Sequence, residues 1–237
     1  MEGWRLLGAA VDAGVPIEVV LYTPEAAATP RWAPLRDRLH SAGVREVLVS
    51  PEVLAPLSQV DTSQGTLGVV ERPALASPAL LRAAATLLVV LDGIQDPGNV
   101  GAILRTAAAV GVTAAATVAS SADPFAPKAL RASAGAVFLL PLLHFTTAAE
   151  AAAACVHAGL RVLVADPRGE TLDAEASFLR PVALVFGSEG AGADRAWRDA
   201  GAETVRVPLK GAVESLNVAA AAAVLLYKAA GFLAPPR

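Results

Sequence analysis

The feature that most constrains the fold of this 237-residue chain is the alternation of short apolar runs with helical segments along its whole length. Runs such as 86–91 and 181–186 are apolar at nearly every position, which is typical of parallel strands covered on both faces. Segments with helical periodicity separate these runs. The pattern therefore predicts an α/β fold with a mainly parallel sheet.

The predicted elements fall on either side of a boundary. Helices are predicted over 3–13, 31–42, 51–57, 100–110, 127–134, 146–158, 193–200 and 216–230. Strands are predicted over 17–22, 46–50, 66–70, 86–91, 114–119, 136–140, 161–165, 181–186 and 204–207. The stretch 71–79 is rich in Pro, Ala and Ser, as linkers are. We therefore predict a small α/β domain over 1–73, a linker over 74–85 and a larger domain over 86–237.

Composition narrows the class of protein. With 54% apolar residues and a mean hydropathy of +0.52, the chain is not intrinsically disordered. It contains no run of about 18 apolar residues, and 1–5 do not resemble a signal peptide, so we expect a soluble cytoplasmic protein without a membrane segment. The single Cys155 and the scattered His40, His144 and His157 predict neither an internal disulfide nor a metal site.

Charge argues against nonspecific binding to nucleic acid. The 19 Lys and Arg residues are outnumbered by 22 Asp and Glu residues, giving a net charge of −3. The first 80 residues hold six basic and nine acidic side chains. Nucleic-acid-binding proteins usually show the opposite balance, so any RNA interaction here must depend on a local patch.

Three loops of the larger domain, each at the end of a predicted strand, have unusual composition. They are 92–101, 186–192 and 207–218, and the carboxyl ends of strands are where open α/β sheets bind ligands. In 186–192, three glycines allow close approach of the backbone to a ligand, and Glu189 lies inside the bend. This loop is equally consistent with a flexible turn.

The other two loops lead into helices. Asn99 is expected to cap the helix after the first loop, with Arg105 six residues further, roughly 9 Å along the axis at about 1.5 Å per residue. Ser215 is expected to cap the last helix, which places Asn217 in its first turn. Ordinary helix capping alone would also explain these residues. Because none of the loops is a Gly-x-Gly-x-x-Gly, Walker or Gly-x-Ser-x-Gly motif, dinucleotide-binding, nucleotide-hydrolysing and serine-hydrolase functions are disfavoured.

Taken together and in this order, the loops resemble the three motifs of the SpoU (TrmH) family of RNA ribose 2′-O-methyltransferases, in the SPOUT superfamily. The matching stretches are 96–106 (DPGNVGAILRT), 186–190 (FGSEG) and 207–218 (VPLKGAVESLNV), with 128–136 (KALRASAGA) between them. More weakly, 2–7 (EGWRLL) and 57–70 resemble the small RNA-binding module, akin to a ribosomal protein, that many family members carry.

The resemblance implies a fold, a cofactor and a set of site residues. It implies a C-terminal trefoil knot, S-adenosylmethionine as cofactor, RNA as substrate and a homodimer formed through the last helix, with the active site near the interface. The catalytic or substrate-orienting positions are Asn99, Arg105, Glu189, Ser215 and Asn217. The cofactor positions are Gly187, Val207 and Leu216 through their backbone, with Pro208 and Gly211 shaping the pocket. Lys128, Arg131 and Lys210 are candidate phosphate contacts, and Arg168 is a weaker one.

In the family, the counterpart of Arg105 is thought to activate the ribose hydroxyl. A guanidinium is effectively always protonated, so we expect Arg105 to hold the adjacent phosphate and stabilise the developing alkoxide instead. Ribosomal RNA is the expected substrate. Alternatives are a transfer RNA methyltransferase, a catalytically silent RNA-binding or ribosome-assembly factor, and an unrelated nucleotide-dependent α/β enzyme. An antibiotic-resistance role is equally compatible with these residues.

Overall fold

The computed structural model describes residues 1–60, 62–169 and 178–232, which form two α/β units with separate sheets. The N-terminal unit (residues 1–70) has a three-stranded sheet in the order β2-β1-β3, where β1 pairs parallel to β2 and antiparallel to β3. Its elements are α1 (Trp4–Asp12), β1 (Ile17–Tyr22), α2 (Pro24–Ala27), α3 (Trp32–Ser41), β2 (Arg45–Leu48), α4 (Pro51–Leu54) and β3 (Thr66–Val70). Its core consists of Leu7, Val20, Trp32, Leu35, Leu39 and Val44.

The C-terminal unit (residues 78–232) has a six-stranded, fully parallel sheet in the order β6-β5-β4-β8-β7-β9. Its strands are β4 (Leu87–Asp92), β5 (Ala114–Val118), β6 (Leu142–Phe145), β7 (Arg161–Ala165), β8 (Val182–Gly187) and β9 (Glu203–Val205). Its helices are α5 (Pro97–Ala109), α6 (Pro127–Ser133), α7 (Ala148–His157), α8 (Arg195–Asp199) and α9 (Val218–Ala229). The α/β class and the parallel sheet are confirmed.

Helices cover both faces of this sheet, which explains the continuous apolar runs. In β4, Leu87 and Val89 join the core beneath α5, α6 and α9, whereas Leu88 and Val90 join the core beneath α7 and α8. Every residue of β4, β5 and β8 is buried. Cys155 lies in the second core, where burial raises the pKa of its thiol to about 12, so the thiol stays protonated.

One predicted element was wrong, and one short helix was not predicted. The stretch 136–140, predicted as a strand, is the 3-10 helix Ala136–Leu139, and the strand β6 begins after Pro141. The stretch 136–143 is apolar on both sides of Pro141, so periodicity did not show on which side of the proline the strand lies. The short helix α2, capped by the Thr23 side chain, was also missed, because four residues are too few to show periodicity.

Both predicted helix caps were wrong as well. Helix α5 begins at Pro97 and is capped by Asp96, so Asn99 lies in its first turn. Proline at the first helical position has no N–H to leave unpaired, which moves the start of the helix upstream. Helix α9 begins at Val218 and is capped by Asn217, which leaves Ser215 in the preceding loop.

The two units are held together through α1 and the connecting segment 71–77. Leu6 of α1 is buried in the core beneath α5 and α6, and a Cβ added to Gly135 would lie 2.4 Å from the Cβ of Ala9. Arg72 forms a two-pronged ion pair with Asp123, at 2.9 and 3.2 Å. These contacts fix the N-terminal unit against α6 and the loop after β5.

Within 1–60, 62–169 and 178–232, no helix combines the length and the apolarity that crossing a membrane requires. In the same residues, no cluster of three or more His, Cys, Asp and Glu side chains is arranged to hold a metal ion.

Candidate active site

A cavity of about 550 Å³ opens at the carboxyl ends of β7, β8 and β9. Three segments line it, one following each strand. They are 165–168, 186–192 and 205–218, and the start of α9 closes the remaining side through Ala221 and Leu225. The position agrees with the general rule that parallel sheets bind ligands beyond the carboxyl ends of their strands.

The wall after β8 is a tight backbone bend. The backbone N–H groups of Ser188 and Gly192 each donate to the carbonyl of the other, both at 3.0 Å. A Cβ added to Gly187 would lie 2.0 Å from the amide nitrogen of Ala193, so no side chain fits there. Glycine is required because two backbone segments nearly touch, and this contact holds the bend rigidly against β8.

A buried carboxylate fixes the far end of the same bend. Asp92 is 4% exposed, and its Oδ2 accepts hydrogen bonds from the backbone N–H of Asp194 at 2.7 Å and from Nε1 of Trp197 at 2.9 Å. Asp92 is the first residue of the predicted loop 92–101 and has no predicted role. The signal that identifies it is an acidic residue ending a fully apolar strand, since such a carboxylate must find buried donors.

Side chains from all three predicted loops meet beside the cavity. Nδ2 of Asn99 donates to Oε1 of Glu189 at 2.5 Å, and Nδ2 of Asn217 donates to Oδ1 of Asn99 at 3.2 Å. Oδ1 of Asn217 in turn accepts from the backbone N–H groups of Ala219 and Ala220 at the start of α9. One chain of hydrogen bonds thus joins residues 90 and 118 positions apart. We call Asn99, Glu189 and Asn217 the amide–carboxylate relay.

The start of α5 is fixed from the opposite side by α6. Nζ of Lys128 lies 2.5 Å from Oδ1 of Asp96, and this hydrogen bond lowers the pKa of the Asp96 carboxyl, with a further contribution from the N–H of Gly98. A Cβ added to Gly101 would lie 2.3 Å from the carbonyl oxygen of Ala129, so α5 and α6 approach to backbone contact. This packing sets where Asn99 presents its amide.

The structure divides the predicted site residues into three groups. Those that line the cavity are Gly187, Glu189, Val207, Ser215, Leu216 and Asn217. Asn99 reaches the cavity through Glu189, and Lys128 is engaged by Asp96. Pro208, Lys210, Gly211 and Arg105 are exposed and are not among the lining residues, while Arg131 lines a separate groove between the two units.

The structure also places charged residues in the cavity that had no assigned cofactor role. Asp166, Arg168 and Arg206 line it, and Oδ1 of Asp166 accepts from the backbone N–H of Arg168 at 2.8 Å. Asp166 directly follows β7, so the strand-end rule that selected the other loops would have selected this one as well. Arg168 was considered only as a weak candidate for contacting phosphate.

Comparison with known proteins matches both units to families. Residues 86–227 match the SpoU rRNA methylase family, and residues 1–68 match the MRM3-like substrate binding domain. The first match covers more than half of the chain and includes all three loops around the cavity.

Individual relatives align over most of the chain. The 23S rRNA (guanosine-2′-O-)-methyltransferase RlmB of Coxiella burnetii is 31% identical, over 95% of this chain and 92% of its own. The 23S rRNA (uridine(2479)-2′-O)-methyltransferase of Streptomyces viridochromogenes is 30% identical, over 96% of this chain and 80% of its own. The crystal structure of AviRb from the same organism, in complex with AdoMet, superimposes with a TM-score of 0.85 at 29% identity, covering 98% of this chain and 89% of that one.

Proposed function

Because the chain belongs to the SpoU rRNA methylase family, we propose that it is an RNA methyltransferase that transfers a methyl group from S-adenosylmethionine to a ribose 2′-hydroxyl of ribosomal RNA. The observation that carries this function is the amide–carboxylate relay, which brings the three motif loops together at one cavity. Relatives named as 23S rRNA 2′-O-methyltransferases support both the reaction and the substrate.

The cavity fits the cofactor in size and in chemistry. Its volume of about 550 Å³ lies in the usual range of small-molecule sites, roughly 300–1,000 Å³. When bound, S-adenosylmethionine supplies an activated methyl group on a sulfonium. Gly187, Val207 and Leu216 would hold it largely through backbone groups, and the side-chain-free approach at Gly187 suits a flat adenine. Pro208 and Gly211 would shape the segment that encloses it.

The residues beside the cavity position the ribose 2′-hydroxyl of the substrate and stabilise the negative charge that develops on its oxygen. Alignment of a reacting oxygen with its target recovers roughly 7–11 kcal/mol of barrier, so positioning is the main contribution. In our mechanism Arg105 holds the phosphate next to the target ribose and stabilises the alkoxide as it develops. The hydroxyl proton passes to a phosphate oxygen or to water. The relay keeps Asn217 fixed, and with Ser215 it orients the reacting groups.

A homodimer explains the placement of Arg105. Its side chain is exposed on α5 and lies outside the cavity of its own chain. Helix α9, which packs beside α5, leaves Val224 and Tyr227 about 40% exposed, and Phe232 just beyond it is 64% exposed. We propose that α9 pairs with a second copy of the chain and that Arg105 of one protomer serves the cavity of its partner.

Membership of the family supports three further proposals on domains, location and knot. We propose that residues 1–73 form a substrate-binding domain, 74–85 a linker and 86–237 the methyltransferase domain, in a protein acting in the cytoplasm. The match of residues 1–68 to a substrate binding domain supports the first assignment. We further propose that the C-terminal part of the chain threads through a trefoil knot, which is consistent with the convergence of loops 186–192 and 205–218 on one cavity.

The direct test is transfer of labelled methyl groups from S-adenosylmethionine to unmodified 23S rRNA transcripts, with the modified nucleotide mapped by its resistance to alkaline cleavage. A transcript with a 2′-deoxynucleotide at the mapped position should accept no methyl group. If only transfer RNA is labelled, the substrate is transfer RNA and not ribosomal RNA. Binding of rRNA without any cofactor binding would support the silent assembly factor, and methylation of a base would contradict the proposal.

A further inference from the structure

Two arginines converge on one partly exposed tryptophan on the N-terminal unit. The guanidinium carbon of Arg31 lies 4.7 Å from the ring centroid of Trp4, and that of Arg5 lies 5.1 Å from it. Both distances fall within the roughly 6 Å range of cation–π attraction. Both arginines are exposed, and they come from different elements, one from α1 and one from the residue that precedes α3. We call these three residues the arginine–tryptophan patch.

Among the described residues, no carboxylate neutralises the charges of this patch. The N-terminal unit and the connecting segment hold six basic residues, all arginines, and Arg36, Arg38 and Arg72 are paired with carboxylates. Arg5, Arg31 and Arg45 have no carboxylate partner within the described part of the chain. Two of the three arginines without a carboxylate partner in the described part of this acidic unit therefore lie on the same indole ring.

We propose that the arginine–tryptophan patch binds a single-stranded segment of the RNA substrate. The guanidinium forks suit phosphate oxygens, and guanidinium planes and indole rings are the surfaces on which unpaired bases stack. The chain as a whole carries a net charge of −3, so affinity for RNA has to come from such a local group of cations. This inference rests on the proposed function, because it assigns a contact surface for the same substrate.

The patch is rigidly placed with respect to the C-terminal unit. Trp4, Arg5 and Leu6 are consecutive in α1, and Leu6 is 4% exposed within the core beneath α5 and α6. RNA held by the patch is therefore held at a fixed distance from the cavity. Arg38 of α3 lies against the other end of α1, where it donates to the carbonyl of Gly8 and pairs with Asp12, so the guanidinium charge without a carboxylate partner lies at the Trp4 end of α1.

Removing both charges is the first test. The double variant Arg5→Gln, Arg31→Gln should bind an unmodified 23S rRNA transcript at least tenfold more weakly at low salt. The slope of log affinity against log salt should fall by about 1.4, since each lost contact to a single strand contributes about 0.7. The matched control is Arg45→Gln, which removes an exposed unpaired arginine of the same unit and should change neither quantity. Equal affinities and slopes for the double variant and the wild type would overturn the proposal.

Fluorescence provides a second, independent test. Of the three tryptophans, Trp32 and Trp197 are 4% and 0% exposed, so only Trp4 is accessible to a stacking base. Titration with the rRNA transcript should quench the emission of the wild type, and Trp4→Phe should remove most of that quenching while keeping the fold. Undiminished quenching in Trp4→Phe would contradict contact at the patch.

The outcomes separate this inference from the proposed function. If the wild type methylates rRNA and the double variant does so with an unchanged KM, the patch does not bind RNA, and the proposed methyltransferase activity is unaffected. If RNA binds through the patch but no methyl group is transferred, the proposal that the patch binds RNA is supported and the proposed methyltransferase activity is refuted. Binding of S-adenosylmethionine, followed by calorimetry, should be equal in the wild type and the double variant, because the patch lies outside the cavity.

Discussion

The cavity and the arginine–tryptophan patch are built in opposite ways. Around the cavity, backbone meets backbone, as at Gly187 and Gly101, where an added Cβ would lie 2.0 and 2.3 Å from main-chain atoms. The patch consists of long exposed side chains that contact one another over the surface of α1. Substitutions at the cavity should therefore abolish cofactor binding almost completely, because packed backbone cannot move. Substitutions in the patch should lower the affinity for RNA in graded steps.

The largest expected effect is that of Gly187→Ala. Its methyl group would overlap the amide of Ala193, so the bend after β8 has to move. We expect a loss of roughly 1–3 kcal/mol in the free energy of unfolding, typical of overpacking. Binding of S-adenosylmethionine should fall below detection by calorimetry. Gly190→Ala in the same bend is the matched control, since its Cβ would meet nothing within 4 Å, and it should retain the wild-type melting temperature. Tight cofactor binding by Gly187→Ala would refute a backbone-built pocket.

Arg105→Ala comes next, with an effect on catalysis and none on stability. Removal of one charge-stabilising donor typically lowers kcat by about 10²–10³-fold. The melting temperature should not change, because the side chain is exposed. Arg105→Lys keeps the charge but loses the planar fork, so we expect only partial recovery of kcat. Near-normal turnover by Arg105→Lys, with unchanged RNA binding, would rule out a geometric role for the guanidinium. Arg195→Ala, an exposed arginine on α8, controls for loss of charge.

The same difference in construction explains what sequence reasoning could predict. Strands β1, β3 and β7 were predicted with their observed bounds, because their lengths are set by neighbouring turns. In the stretch 136–143, which is apolar on both sides of Pro141, periodicity did not separate helix from strand, and the strand is predicted on the wrong side of the proline. The start of β6 is decided by its pairing with β5, a strand that lies far away in the sequence.

At the site, residue types were predictable but partners were not. Loop composition identified Asn99, Glu189 and Asn217, yet Asn99 was taken for a helix cap and Asn217 was not. The partners of Asn99 are Glu189 and Asn217, 90 and 118 residues away, beyond the reach of a local capping rule. The patch shows the same limit, because Arg31 meets Trp4 only after α1 and α3 have packed together.

Substitutions at the junction between the N-terminal and C-terminal units should have effects of intermediate size. Arg72→Ala removes the ion pair with Asp123 and the contact of the guanidinium with the Phe125 ring, 4.8 Å away. Each interaction is exposed, so together they contribute about 1 kcal/mol to stability. If the junction aligns the N-terminal unit with the cavity, the KM for rRNA should rise a few-fold while the affinity for S-adenosylmethionine stays constant. Arg36→Ala, which breaks the exposed pair with Glu46 away from the junction, should leave KM unchanged.

The smallest effect is expected for Lys128→Met, and it should depend on pH. The hydrogen bond from Lys128 is the main cause of the lowered pKa of Asp96 in the folded protein. A carboxyl whose pKa falls on folding stabilises the protein above its unfolded pKa of about 3.9, and this stabilisation is lost as the pH falls through the folded value. The variant should thus melt slightly below the wild type at pH 7, with the gap closing below about pH 4. A gap that persists once the Asp96 carboxyl is fully protonated in the folded protein would mean that Lys128 acts through packing against Gly98, whose added Cβ would lie 3.3 Å from Cε, instead of through charge.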